Sequence, residues 1–303
     1  MSVPQSSSVR IEAMAEGPSR LARLATGAAL AIPFVFVVAF FFVPMIVLIG
    51  MSLSSHEIGS APRLTFTLSN FAEYWTDPFY LRTSLWTTVK LAILSTLFAL
   101  VIGYVLAYYI AELPAKKRGL ITSLVVVSLT VNIVIRVFGL NVLLASSGLI
   151  NTALQAVGLT ERPIRLTYSE LGVLIGLVQI AVPYIVLPLI GVLSAIDPAL
   201  REAAQSVGAN RFRTFWNVTL PLSMPGVIAG TLIVFTLNAA AFAIPAMMGG
   251  GRVRMMGMLA YQQATISGNF PFAAAVGLSL AALTLVITVA YLYLINRKFK
   301  AVR

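Results

Sequence analysis

The sequence predicts an all-α membrane protein with six transmembrane helices, and three observations carry that prediction. Of 303 residues, 59% are hydrophobic and 10% charged, with a mean hydropathy of +0.93. A soluble domain carries about a quarter charged residues. Six apolar runs, near 27–51, 86–112, 120–144, 171–193, 223–246 and 272–295, are long enough to span, since crossing a hydrocarbon core of about 30 Å takes about 20 helical residues. Lys and Arg are sorted between the loops. With the N-terminus inside, inner segments hold Arg10, Arg20, Arg23, Lys116, Lys117, Arg118, Arg201, Arg211, Arg213, Arg297, Lys298, Lys300 and Arg303. Outer segments hold Arg63, Arg82, Arg162, Arg165, Arg252 and Arg254, and Lys90 and Arg136 fall within spans. Thirteen against six places both termini inside by the positive-inside rule.

Taken in order, residues 1–26 are a polar N-terminal segment, Ser-rich and read as disordered over 1–19. The six-span domain follows over 27–296, and 297–303 form a basic tail. Arg20 and Arg23 ahead of an apolar run imitate a signal peptide, but the run exceeds the length of such a core and no small-residue cleavage site follows. The first run is therefore read as an uncleaved span. The net charge of +11 is scattered over short loops, so it reports topology and does not call for nucleic acid. Zero cysteines exclude disulfides, thiolate metal sites and thiol catalysis. His56 reads as a solvated residue of the first outer loop.

Between the fourth and fifth runs lies a polar island, 197–221. Asp197 before Pro198 starts a helix, because the carboxylate accepts free backbone N–H groups and proline at the first position loses no bond. Gly208 suits a left-handed stop, and Asn210 caps a second helix through Arg211, Phe212, Phe215 and Trp216 that ends at Pro221. The expected product is a helix-turn-helix knob; the competing reading is an amphipathic connector lying on the bilayer.

Polar residues inside the spans are candidates for a translocation path. Ser128, Asn132 and Arg136 recur every four residues, which puts them on one face of a continuous helix. Sixteen residues from Leu120 at 1.5 Å each place Arg136 about 24 Å along that span. Thr231, Asn238 and Pro245 recur every seven, and the fourth run adds Gln179 and Tyr184 beside Pro183. The alternative is that these side chains hydrogen-bond neighbouring helices. Prolines 183, 188 and 245 are expected to kink or end helices, and their freed carbonyls need partners.

Several chemistries have no residues to run them. No Gly-x-x-x-x-Gly-Lys-Ser/Thr occurs, and Gly249-Gly250-Gly251 lacks the lysine and hydroxyl. Glu112 and Glu170 sit at span ends, so an ion-coupled carrier has no obvious proton relay. No nucleophile is paired with a base, which disfavours a membrane enzyme.

The island also carries a resemblance. Glu202-Ala203-Ala204, three residues, Gly208, nine residues, Val218, one residue, then Leu220-Pro221 is similar to the cytoplasmic signature of integral-membrane permeases of ATP-binding cassette importers. Further stretches resemble the first permease of spermidine/putrescine importers: Phe66 to Phe71, Asn132 to Arg136 with Phe138-Gly139-Leu140, Gly148 to Asn151, Pro163-Ile164-Arg165 and Met248-Gly249-Gly250. Thr130 stands where that pattern often has Trp. The resemblance implies the type I importer permease fold in a bacterial inner membrane. It implies ATPase coupling through Asp197, Glu202, Ala203, Ala204, Gly208, Leu220 and Pro221. The implied partners are a second permease, two ATPase subunits and a periplasmic solute-binding protein. This chain would carry no cofactor, with ATP and Mg on the ATPase, and its outer segments 53–84 and 247–271 would dock the binding protein and close the outer gate.

Overall fold

The computed structural model describes residues 20–55 and 63–300. The expectations for the tail 1–19 and for His56 lie outside the described residues. The described chain falls into two units, up to Gly50 and from Met51 onward. The first holds all but the last two residues of α1 (Arg20–Ser52), which runs through Pro33 and Pro44 and carries the first apolar run. Its sequence from Phe34 to Ile49 is apolar on every face, the pattern of a helix meant for hydrocarbon.

The second unit opens with a short β1–β2 pair (Ser54–Ser55 and Arg63–Leu64) and α2 (Ser69–Thr76). Asp77 then caps the helical turn Pro78–Tyr80, accepting from Phe79 N, and after a π turn at Leu81–Leu85 the chain becomes α3 (Trp86–Glu112). Next come α4 (Ala115–Thr130), α5 (Ile133–Leu144), α6 (Leu149–Ala156) and α7 (Glu170–Ser194). The island supplies α8 (Pro198–Ser206) and α9 (Arg211–Thr214). The remainder is α10 (Leu220–Ala239), α11 (Ala243–Met248), α12 (Met256–Thr265) and α13 (Phe270–Lys300). Among the described residues six helical runs are long and apolar enough to cross a membrane.

Two sequence expectations are corrected. The run 120–144 is not one helix: it breaks between Thr130 and Ile133, and the apolar helical run in that region is Ile133–Ala156. The run 223–246 also breaks, at Ala240–Phe242. Of the prolines expected to kink or end helices, Pro183 and Pro188 lie inside α7, and Pro245 sits in the first turn of α11, just after the break, where a missing N–H costs nothing. Helix α13 continues into the basic tail as far as Lys300.

Helices α3, α7 and α10 pack on one another and hold the largest core, including Ala99, Ala107, Ile185, Leu189 and Val234. Small residues permit the approach. A Cβ on Gly103 of α3 would stand 2.7 Å from the Ile185 side chain, and one on Gly230 of α10 would stand 3.3 Å from the Ile185 backbone. Ile185 is thus gripped from both sides, as expected where close helix packing replaces a hydrophobic driving force.

The described residues of the segments between the first and second and between the fifth and sixth spans are packed into the fold. Tyr74 of α2 packs with Met256 and Leu259 of α12 and Phe272 of α13, and Trp75 Nε1 donates to Ser279 Oγ at 3.1 Å. Asn70 donates to the carbonyls of Ser52 and Ser54 at 2.9 Å each. Buried Asn151 donates to the carbonyls of Ala145 and Ile164 and accepts from Ile164 N at 2.8 Å. Gly250, at φ +56°, lies under the Tyr168 ring, where a Cβ would stand 2.7 Å from the Tyr168 side chain. The short stretches quoted above around Asn70, Asn151, Ile164 and Gly250 are therefore backbone-fixing elements.

Candidate functional site

The island folds into the knob that its local signals predict. Asp197 accepts from Ala199 N at 2.9 Å and Asn210 from Arg213 N at 2.8 Å, so both caps form. Between them, Gly208 N donates to Gln205 O at 3.0 Å and Ala209 N to Ala204 O at 3.1 Å. That is the paired bonding of a Schellman stop, with Gly208 at φ +89°. The expected end at Pro221 is corrected: α9 passes through a π turn, Phe215–Thr219, directly into α10. Leu220 N reaches back to Phe215 O, and Pro221, which has no N–H to give, follows immediately after this wider turn. The second helix of the knob is therefore continuous with the fifth span.

Its root is tied to α3. Arg201 Nη1 donates to Glu112 Oε1 at 2.9 Å, and the guanidinium stands 5.4 Å from the Tyr108 ring centroid. Phe215 meets Tyr104 edge-on at 5.6 Å and Tyr108 at 6.0 Å. The Tyr104 hydroxyl is hydrogen-bonded to Ser223 Oγ at 2.8 Å. A cavity of about 610 Å³ lies among Tyr108, Glu112, Arg201, Gln205, Arg211 and Phe215. Away from the root, Glu202 and Ala203 are exposed and Ala204 is half-buried. Val207 is 86% exposed and Phe212 71%, so the tip offers apolar surface beside a carboxylate.

The residues proposed for a path separate into two groups. Thr231 and Asn238 are buried. Asn238 Nδ2 donates to Ser95 Oγ of α3 at 2.7 Å, and Thr231 Oγ1 is hydrogen-bonded to the Tyr291 hydroxyl of α13 at 2.7 Å. The interhelical alternative describes both as they stand. Tyr184 packs against the α3–α7–α10 core.

Ser128, Asn132, Arg136 and Gln179 gather at the broken span. The expected continuous stripe is corrected, and with it the depth counted for Arg136, because Asn132 is the cap of α5. Its side chain accepts from Val134 N at 2.8 Å. Ser128 Oγ donates to Val125 O at 2.6 Å and Thr130 Oγ1 to Val127 O at 2.7 Å, which satisfies carbonyls in the last turns of α4. Arg136 bridges outward, from Nη1 to Ser128 O at 3.4 Å and from Nη2 to Gln179 O at 3.3 Å. The Gln179 side chain is exposed along a groove of about 550 Å³ with Phe98, Ile102, Leu174 and Val182.

Comparison with known proteins decides the class. Residues 99–300 match the family described as "Binding-protein-dependent transport system inner membrane component". The chain belongs to this family. The permease is 35% identical over 243 residues to the spermidine/putrescine transport system permease protein PotB of Escherichia coli (strain K12), covering 80% of this chain and 88% of that one. It is 32% identical over 271 residues to PotB of Haemophilus influenzae, covering 88% and 94%. In fold it is similar to a chain of a bacterial ABC transporter involved in alginate import, with TM-score 0.73 at 21% identity over 90% of this chain and 96% of that one. A chain of the MetNI methionine ABC transporter matches with TM-score 0.53 at 22% identity over 75% and 97%. The fold is that of the ABC importer permeases.

Two ion pairs in the permease escape a reading along the chain. Arg201 reads as one more inside charge and Glu112 as a helix end, because their pairing joins residues 89 apart in sequence. Lys90 likewise reads as an isolated charge in a span, yet it is paired with Glu170 at the start of α7.

Proposed function

We propose that this permease is the membrane subunit of an ATP-driven, binding-protein-dependent importer in a bacterial inner membrane, and that 197–221 is where an ATPase subunit drives it. The observation that carries this is the knob itself. Its tip presents Glu202, Val207 and Phe212 to a partner, while its root is joined to α3 by Arg201–Glu112 and continues unbroken into α10. A push on the tip therefore moves two of the three core helices together. In this assembly the permease does no bond chemistry. ATP and Mg²⁺ remain on two ATPase subunits, a second permease completes the path, and a periplasmic protein delivers the solute.

The likeness to PotB supports a small polar solute of the polyamine type. Solutes that raise the melting temperature of the cognate binding protein identify it directly.

The test of the arrangement uses the absence of cysteine. Single cysteines replacing Ser60, Ser147, Ser206 and Ser267 should behave differently toward an impermeant thiol reagent outside spheroplasts. Positions 60, 147 and 267 label and 206 does not, as the Lys and Arg distribution requires. Labelling of 206 with protection of 60 inverts the protein and removes the knob from the compartment that holds ATP.

A further inference from the structure

We propose that Arg136 is the positioning residue of the broken third span, acting as a clamp on two backbone carbonyls that the fold itself leaves without partners. The first is Ser128 O. In a continuous helix it would accept from residue 132, but Asn132 has left helical geometry, at φ −55° and ψ 134°, to cap α5. The second is Gln179 O. Its regular donor would be residue 183, and Pro183 has no N–H. Arg136 Nη1 donates to the first and Nη2 to the second. A planar guanidinium can hold two acceptors in fixed directions, which a lysine ammonium on its flexible stem does not do.

The geometry gives the clamp a consequence for transport. A helix break in a membrane is stable only if its freed backbone groups are satisfied. Ser128, Thr130 and Asn132 satisfy groups within or beside their own helix; Arg136 alone among these four reaches across to α7. It thereby fixes α5 against the helix whose Ile185, two residues past Pro183, sits between Gly103 and Gly230. The cation is also engaged by carbonyl dipoles, so its charge is partly offset by its own protein. A polycationic solute and an arginine beside the groove are then compatible. This part of the inference rests on the importer reading above, whereas the clamp itself does not.

A double-mutant cycle between Arg136→Gln and Pro183→Ala separates the two. Alanine at 183 restores an N–H for Gln179 O, so half of the arginine's task disappears. Thermal unfolding of the purified permease should show Arg136→Gln lowering the melting temperature by about 3 °C or more. The same change in the Pro183→Ala background should cost only about half of that shift, and Arg136→Lys should fall between wild type and Arg136→Gln. In the reconstituted importer, Arg136→Gln should raise ATP turnover without solute and lower transport of every solute equally, with partial recovery on adding Pro183→Ala. Equal melting shifts in both backgrounds mean that the sites are uncoupled and overturn the clamp. So does an unchanged melting temperature, or a loss confined to anionic solutes, which makes Arg136 a solute ligand. Coupling in the melting cycle with no transport of any solute leaves the clamp standing and contradicts the importer reading.

Discussion

Gly208→Val should abolish solute import while leaving the permease inserted and at normal abundance. Gly208 holds φ +89°, and a Cβ there meets nothing within 4 Å, so conformation rather than crowding forbids a side chain. A β-branched residue in that region costs about 1–3 kcal/mol, which the knob can avoid only by unwinding the stop between α8 and α9. The bonds from Gly208 N to Gln205 O and from Ala209 N to Ala204 O would then be lost. Glu202 and Phe212 would no longer be held in one orientation. Transport in reconstituted vesicles should fall at least about tenfold, the equivalent of about 1.4 kcal/mol. Gly208→Asn should retain most activity, because asparagine tolerates the left-handed region. Equal activity of the Val and Asn variants would show that the turn's geometry does not matter.

A second large effect lies in the core. Gly103→Leu should prevent the permease from accumulating in a folded form. The first added carbon already stands 2.7 Å from Ile185 Cγ2, and Ile185 cannot retreat because Gly230 presses its backbone from the other side. Overpacking of this kind costs about 3 kcal/mol, a large fraction of a typical net stability. Gly119→Leu is the matched control: its Cβ meets nothing within 4 Å, and it adds helix propensity. Detergent-solubilised protein should elute as a single species for Gly119→Leu and be lost to aggregate for Gly103→Leu. A monodisperse Gly103→Leu with an unchanged melting temperature would mean that α3 and α7 do not meet at this contact.

What the sequence made legible, and what it did not, follows from the range of the interactions. Asp197, Gly208 and Asn210 were readable because each acts on backbone within three residues of itself. The six apolar runs were readable because the bilayer sets their length. The break at Thr130–Ile133 was hidden, since the run stays apolar and Ser128, Asn132 and Arg136 keep the spacing of a helix face. Their partners are backbone groups, an N–H for Asn132 and carbonyls for Ser128 and Arg136, one of them 43 residues away at Gln179, and no side-chain pattern marks a backbone partner. Pro221 read as a stop because a π turn leaves no signature in composition; only Leu220 N reaching Phe215 O reveals it. The glycines that grip Ile185 gave no signal either, because small residues are common in membrane helices and only packing shows which ones are contacts.

The central claim is that the knob is the element an ATPase subunit touches. Cross-linking measures it most directly. With cysteine introduced at Ser206 on the exposed face of α8, and at Ser147 as a control beyond α5, a short thiol-to-amine reagent can be applied to membranes holding the assembled importer. The account predicts a covalent product of this chain with the ATPase subunit from position 206, altered in yield by ATP, and none from 147. No ATPase adduct from 206 in a complex that still imports solute would contradict it.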